Sequence, residues 1–132
     1  MPQSDESSFI KNVDAETLDF IQKYLTSYLK WEVLRYYSEN PTAAETPRAF
    51  ARRLGKDVRQ IAEAMKSLAR SGILSNGNGS GENASYTLAG GDADRSTLQR
   101  IAETARANNR FRLLLNYHIT KASLARFKAR NP

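Results

Sequence analysis

The segment TPRAFARRLGKDVRQIAEAMKSLARSGIL, residues 46–74, predicts two short helices joined by a turn of about three residues. Helix-capping residues stand before each helix, a proline stands at a first helical position, and glycines stand at the helix ends. These residues are Thr46, Pro47, Gly55, Asp57 and Gly72. We therefore expect a helix-turn-helix unit here.

The second helix, expected over about residues 58–71, separates apolar from polar side chains. At roughly 100° per residue, Ile61, Met65 and Leu68 share one side. The polar residues on the other side are Arg59, Gln60, Glu63, Lys66, Ser67 and Arg70. This polar side is either a binding surface or a solvated helix face on which Glu63 pairs with Arg59 and Lys66.

The loop SNGNGSGENAS, residues 75–85, follows the apolar GIL and precedes YTLA. Its composition suits a linker, a phosphate-binding loop or the tip of a hairpin. Both flanking segments are typical of short strands, and a phosphate-binding loop needs a helix directly after its glycines. The hairpin is therefore the favoured interpretation, with Gly77, Gly79 and Gly81 in a flexible turn.

Helices are also expected before this unit. Residues 14–40 have apolar residues three and four apart, with Asp14 as a cap and Asn40 at the end. They form one long helix or two helices that break near residues 27–30. The aromatic residues Trp31, Tyr36 and Tyr37 suit either a stacking platform for bases or a core, and the amphipathic pattern favours the core.

Two further apolar stripes follow residue 92. Asp92 or Asp94 is expected to cap a helix with Leu98 on its apolar face, whereas Phe111 and Leu115 lie on another side. Either the helix breaks near residues 108–109, with Asn109 as a new cap, or one continuous helix uses two faces.

The composition is that of one globular domain with a preference for anionic partners. The chain has 132 residues, a formal net charge of +6 and no cysteine, which excludes disulfides and thiolate metal sites. Residues 46–74 hold seven Lys/Arg against two Asp/Glu, and residues 95–132 hold nine against one. Neither a membrane span nor a signal peptide is expected, so the predicted location is cytoplasmic.

The pattern of residues 46–74, followed by the loop and YTLA, resembles the winged helix-turn-helix of small prokaryotic transcriptional regulators of the MarR and ArsR type. The expected fold is mainly α with a small β-hairpin wing and extra N- and C-terminal helices. Residues 1–13 are expected to be a polar tail and residues 14–91 the winged domain, with the wing at about 73–89. Residues 92–132 are expected to be a helical extension and a candidate dimerisation element.

The resemblance implies that the second helix reads duplex DNA in the major groove. It assigns base reading to Arg59, Gln60, Glu63, Lys66 and Ser67. It assigns phosphate contacts to Thr46, Arg48, Arg52, Lys56 and Arg70. The wing carries Asn76 and Asn78, which offer hydrogen bonds, and its only charge is Glu82.

A homodimer formed through the terminal helices is expected, together with an unidentified effector or protein partner. The alternative function is an adaptor that binds protein through its basic C-terminal segment and reads no DNA sequence. Enzymatic function is the weakest hypothesis, because the only histidine, His118, lies on an apolar helix face and no catalytic motif is present. No cofactor and no metal are predicted.

Overall fold

The computed structural model describes residues 14–130, which form six α-helices and a small antiparallel sheet. The helices are α1 (Ala15–Tyr24), α2 (Tyr28–Glu39), α3 (Pro47–Leu54), α4 (Val58–Arg70), α5 (Asp92–Ala107) and α6 (Asn109–Arg130). The strands are β1 (Ala44–Glu45), β2 (Leu74–Asn76) and β3 (Tyr86–Leu88), with a 3₁₀ turn at Gly81–Asn83. The mainly α prediction with a small β element is confirmed. The expected tail at residues 1–13 lies outside the described residues.

The chain divides into two compact units. Residues 29–95 form one unit, and residues 14–28 with residues 96–130 form the other. A division by sequence order, into residues 14–91 and 92–132, does not anticipate this grouping. The reason is that α1 contacts α6, which lies at the far end of the chain.

In the unit of residues 29–95, the two helices of the expected helix-turn-helix are bounded by local hydrogen bonds. Thr46 Oγ1 accepts from the backbone N–H of Ala49 at 3.1 Å, and Asp57 Oδ1 accepts from that of Arg59 at 3.0 Å. Between them, Gly55 ends α3 with a φ of 66°, which favours glycine. The predicted caps and turn are confirmed.

The sheet has three strands in the order β1-β3-β2, whereas the sequence indicated only the β2–β3 hairpin. Strand β1 pairs with β3 through Ala44 opposite Thr87 and Glu45 opposite Tyr86. It has only two residues, so it shows no alternation of apolar and polar residues from which a strand could be predicted. Its position depends on long-range pairing with β3.

Aromatic side chains form much of the core of this unit. Trp31, Tyr37 and Phe50 are buried, and the Tyr37 hydroxyl donates to the backbone oxygen of Tyr86 at 2.6 Å. Burial raises the pKa of Tyr37 far above its ordinary value. The core interpretation is confirmed for Trp31 and Tyr37, whereas Tyr36 is half-buried.

In the other unit, Asp14 caps α1 by accepting from the backbone N–H of Thr17 at 2.8 Å. This hydrogen bond lowers the pKa of Asp14, and the Arg100 guanidinium, 3.7 Å away, acts in the same direction. Two separate helices, α1 and α2, are present, and the break lies at residues 25–27, slightly earlier than expected.

The apolar stripe changes side because the helix breaks, and α5 and α6 are separate. The predicted cap at Asn109 is wrong, since Asn108 Oδ1 accepts from the backbone N–H of Phe111 at 3.0 Å. The predicted cap at Asp92 or Asp94 is also wrong. Both aspartates lie inside the first turn of α5, where their charge suits the helix dipole.

Within residues 14–130, no helix combines the length and the apolar composition that crossing a membrane requires.

Candidate nucleic-acid interface

Helix α4 buries one side and exposes the other, as its sequence predicts. Ile61, Ala64, Met65 and Leu68 are buried. The exposed side carries Arg59, Gln60, Glu63, Lys66 and Arg70, with Ser67 half-buried at its margin. Because the buried residues fix the rotation of the helix, all six polar side chains are held on the outer surface of the unit.

The polar side of α4 is not a network of ion pairs. Among residues 14–130, none of Arg59, Glu63 and Lys66 has an oppositely charged group within 4.0 Å. The alternative in which Glu63 neutralises both cations therefore has no support from the geometry. Two cations, a carboxylate and an amide are left available to an external ligand.

The candidate phosphate contacts divide into free and occupied groups. Arg52, Lys56 and Arg70 are exposed, and within the described residues their side chains make no hydrogen bond or ion pair. Thr46 accepts a capping hydrogen bond, so its hydroxyl proton stays available to a phosphate oxygen. Arg48 is occupied, because its guanidinium is bonded to the loop between β2 and β3.

That loop folds back toward the helix-turn-helix. Its 3₁₀ turn contacts both α3 and α4. The Arg48 Nη2 atom lies 2.7 Å from Glu82 Oε1, and Arg48 Nε donates to Asn83 Oδ1 at 3.4 Å. The single charge of the loop is therefore paired with one of the cations expected to contact DNA.

The loop is hydrogen-bonded rather than a simple flexible turn. Gly77 N donates to Ser85 O at 2.6 Å, and Ser85 N donates to Asn78 O at 2.8 Å. Gly79 has a φ of 88°, and a Cβ atom there would clash with the Asn83 carbonyl oxygen. The side chains of Asn76 and Asn78 remain exposed on either side of Gly77.

Arg53 is a second cation with partners inside its own unit, and the sequence pattern did not identify it. Its guanidinium lies 4.5 Å from the Tyr36 ring centre and 3.6 Å from Glu45 Oε2, and the Tyr36 hydroxyl donates to the same oxygen at 2.6 Å. Arg53 is thus engaged inside its own unit. No spacing in the sequence indicates this cluster, because β1, which carries Glu45, was itself not predicted.

Comparisons of the chain with protein-family models, with curated proteins and with solved structures find no match. The functional assignment therefore depends on the geometry of the chain itself.

Proposed function

We propose that this chain is a DNA-binding transcriptional regulator of the winged helix-turn-helix type, with α4 as its recognition helix. The observation that carries the proposal is the polar side of α4, exposed, without ion pairs and fixed by a buried opposite side. A helix of this width fits the major groove of B-DNA. The order helix, strand, two helices and hairpin, with strand order β1-β3-β2, is the arrangement on which the proposed winged-helix assignment rests.

The side chains of α4 that are assigned to base reading each have a chemical role at a base edge. Arg59 donates two hydrogen bonds to guanine O6 and N7, Gln60 pairs with adenine, and Glu63 accepts from cytosine N4. Lys66 and Ser67, further along the helix, extend the contact. Each good bidentate pair contributes about 1–3 kcal/mol of discrimination between bases.

Phosphate contacts then position the helix without reading sequence. Arg52, Lys56 and Arg70 supply charge, and Thr46 supplies a hydroxyl at the start of α3. Arg48 joins them when its pairing with Glu82 is released. Asn76 and Asn78 in the wing supply hydrogen bonds without charge.

A fluorescence anisotropy titration of labelled duplex DNA at several salt concentrations tests this interface. With three free cations on phosphates, log K should fall by about 2.7 per decade of salt, or about 0.9 per contact. The double substitution Arg52→Ala/Lys56→Ala should reduce this slope by about 1.8. Lys121→Ala/Arg126→Ala, which removes two cations from α6, is the matched control and should leave the slope unchanged. The reverse pattern would place nucleic-acid binding on the C-terminal segment and contradict the proposal.

The regulator is proposed to act as a homodimer through α6. Leu113, Tyr117, Leu124 and Phe127 are each more than half exposed. With Thr120 they follow a spacing of four, three, four and three, which is the seam spacing of a coiled coil. A second copy of α6 carries the same exposed apolar stripe and packs against it, so we assign this stripe to the dimer interface.

The same stripe favours a second candidate function, an adaptor that binds another protein. Sedimentation equilibrium separates the two. The homodimer predicts a dimer that dissociates in Leu113→Ser/Leu124→Ser and stays intact in the surface control Arg52→Ala. A monomeric wild type that binds no duplex DNA at low salt contradicts the regulator and favours the adaptor.

A further inference from the structure

A cavity of about 480 Å³ lies between α1 and α6, within the unit of residues 14–28 and 96–130. Its volume is in the range of pockets that hold small organic ligands, roughly 300–1,000 Å³. Leu18 on α1 and Ala122 and Ala125 on α6 line it with apolar surface. The two alanines leave space that a larger side chain would fill.

Five polar residues line the cavity, and two of them are cationic; the other three are Gln22, Thr26 and His118. Lys121 and Arg126 lie along its α6 side, and none of the residues that line it is acidic. Each cation is within one helical turn of the alanines. An apolar surface bordered by two positive charges suits a ligand with an apolar body and a negative group.

His118 also lines the cavity. Its Nε2 atom is buried and has no hydrogen-bond partner among residues 14–130. Burial lowers the pKa of His118, and the neighbouring Lys121 adds to the effect, so both favour the neutral ring. A buried polar atom without a partner costs free energy, and a ligand oxygen that accepts a hydrogen bond from Nε2–H, in the tautomer that carries the proton there, removes that cost.

We propose that this cavity binds a small amphipathic anion, with a carboxylate or sulfonate between Lys121 and Arg126 and an apolar body against Leu18, Ala122 and Ala125. The proposal requires no DNA binding, since all of these residues lie in the unit that does not contain α4. The single negative group matches two cations, and the apolar lining disfavours strongly hydrated polyphosphates.

The dye 8-anilinonaphthalene-1-sulfonate has an aromatic body with one sulfonate and is a suitable probe, and its uncharged counterpart N-phenyl-1-naphthylamine tests the need for charge. We expect saturable one-to-one fluorescence binding of the anionic dye. Lys121→Gln/Arg126→Gln should weaken binding of the anionic dye at least tenfold and change binding of the neutral dye by no more than about twofold. Arg52→Gln/Lys66→Gln, which removes the same charge from the other unit, should change neither.

Two further variants test the shape of the cavity and the sign of its charge. Ala122→Phe fills the cavity and should abolish binding of both dyes. Ala125→Glu, at an exposed helix position where folding is least affected, adds both bulk and a negative charge, so it should weaken binding of the anionic dye more than binding of the neutral dye. Circular dichroism checks the fold of each variant.

His118 gives an independent readout, because it is the single histidine of the chain. Its Cε1–H NMR signal should shift during titration with the anionic dye and reach saturation at the same concentration as the fluorescence. The proposal is overturned if that signal does not move, if Ala125→Glu leaves dye affinity unchanged, or if dye binding is lost in Leu113→Ser/Leu124→Ser instead.

Discussion

Arg48, in the first turn of α3, and Glu82, in the turn between β2 and β3, form an ion pair with a distance of 2.7 Å between Nη2 and Oε1. The two residues are 34 positions apart in the sequence. Their side chains are 52% and 36% exposed, so the pair contributes at most about 1 kcal/mol to stability. Its consequence concerns the proposed DNA binding, because Glu82 engages a guanidinium that the proposal assigns to a phosphate.

Substitution Glu82→Gln should therefore strengthen duplex binding by up to about fivefold and steepen the salt dependence by about 0.9 in log K per decade. The physical reason is that Arg48 is released and a negative charge beside the proposed interface is removed. Glu103→Gln, which removes one acid from the exposed side of α5, is the matched control. Equal effects of the two substitutions in an anisotropy titration would show that only net charge matters.

The tip of the loop between β2 and β3 should depend on Gly79 more than on Gly77. Alanine at Gly79 would have both an unfavourable φ of 88° and a Cβ atom that clashes with the Asn83 carbonyl oxygen, whereas Gly77 has no positive φ. Gly79→Ala should destabilise the tip by about 1–3 kcal/mol. Amide exchange of Ser85 N–H, which donates to Asn78, should accelerate in Gly79→Ala and change little in Gly77→Ala. Equal acceleration in both variants is the contrary result.

The buried hydroxyl of Tyr37 should make stability fall at high pH. Burial raises the pKa of Tyr37 in the folded state, so the unfolded chain loses this proton first, near pH 10. The stabilisation that comes from keeping the Tyr37 hydroxyl protonated is fully present below pH 10 and is lost as the pH rises above it. Tyr37→Phe should cost about 1 kcal/mol at pH 7 by removing the hydrogen bond to Tyr86. Urea unfolding from pH 8 to 11 should show a shallower alkaline decline in this variant than in the wild type, and an unchanged decline would contradict the prediction.

The start of α6 should depend on Asn108. Because its side chain accepts from the Phe111 N–H, Asn108→Ala should lower the free energy of unfolding by about 1 kcal/mol. Asn109 accepts only an exposed hydrogen bond from Arg112, so Asn109→Ala should cost much less. Thermal unfolding of the two variants measures the difference. A larger loss in Asn109→Ala would restore the cap expected from the sequence.

Local features of the fold follow from the sequence, whereas long-range ones do not. Thr46, Gly55 and Asp57 act within three or four residues, so their residue types are enough to place α3, the turn and α4. The same local rules placed the cap of α6 one residue too late, at Asn109 instead of Asn108, because either asparagine can accept from a nearby backbone N–H.

The candidate sites show the same division. The exposed side of α4 follows from the helical period, since Ile61, Met65 and Leu68 fix the buried direction. The pairing of Arg48 with Glu82 and the cavity between α1 and α6 depend on segments distant in the chain, and no spacing indicates them. The sequence placed His118 on an apolar helix face, and its place in a cavity became visible only with α1 beside it.

Sequencing of duplexes bound from a randomised pool tests the central claim, that α4 reads bases, most directly. The wild type should enrich one short motif. Arg59→Ala should lose preference at one position of that motif, whereas Arg52→Ala should keep the motif and weaken all sequences alike. A bound pool without any enriched motif, or the same motif at full strength in Arg59→Ala and Gln60→Ala, would contradict the assignment of α4 as a recognition helix.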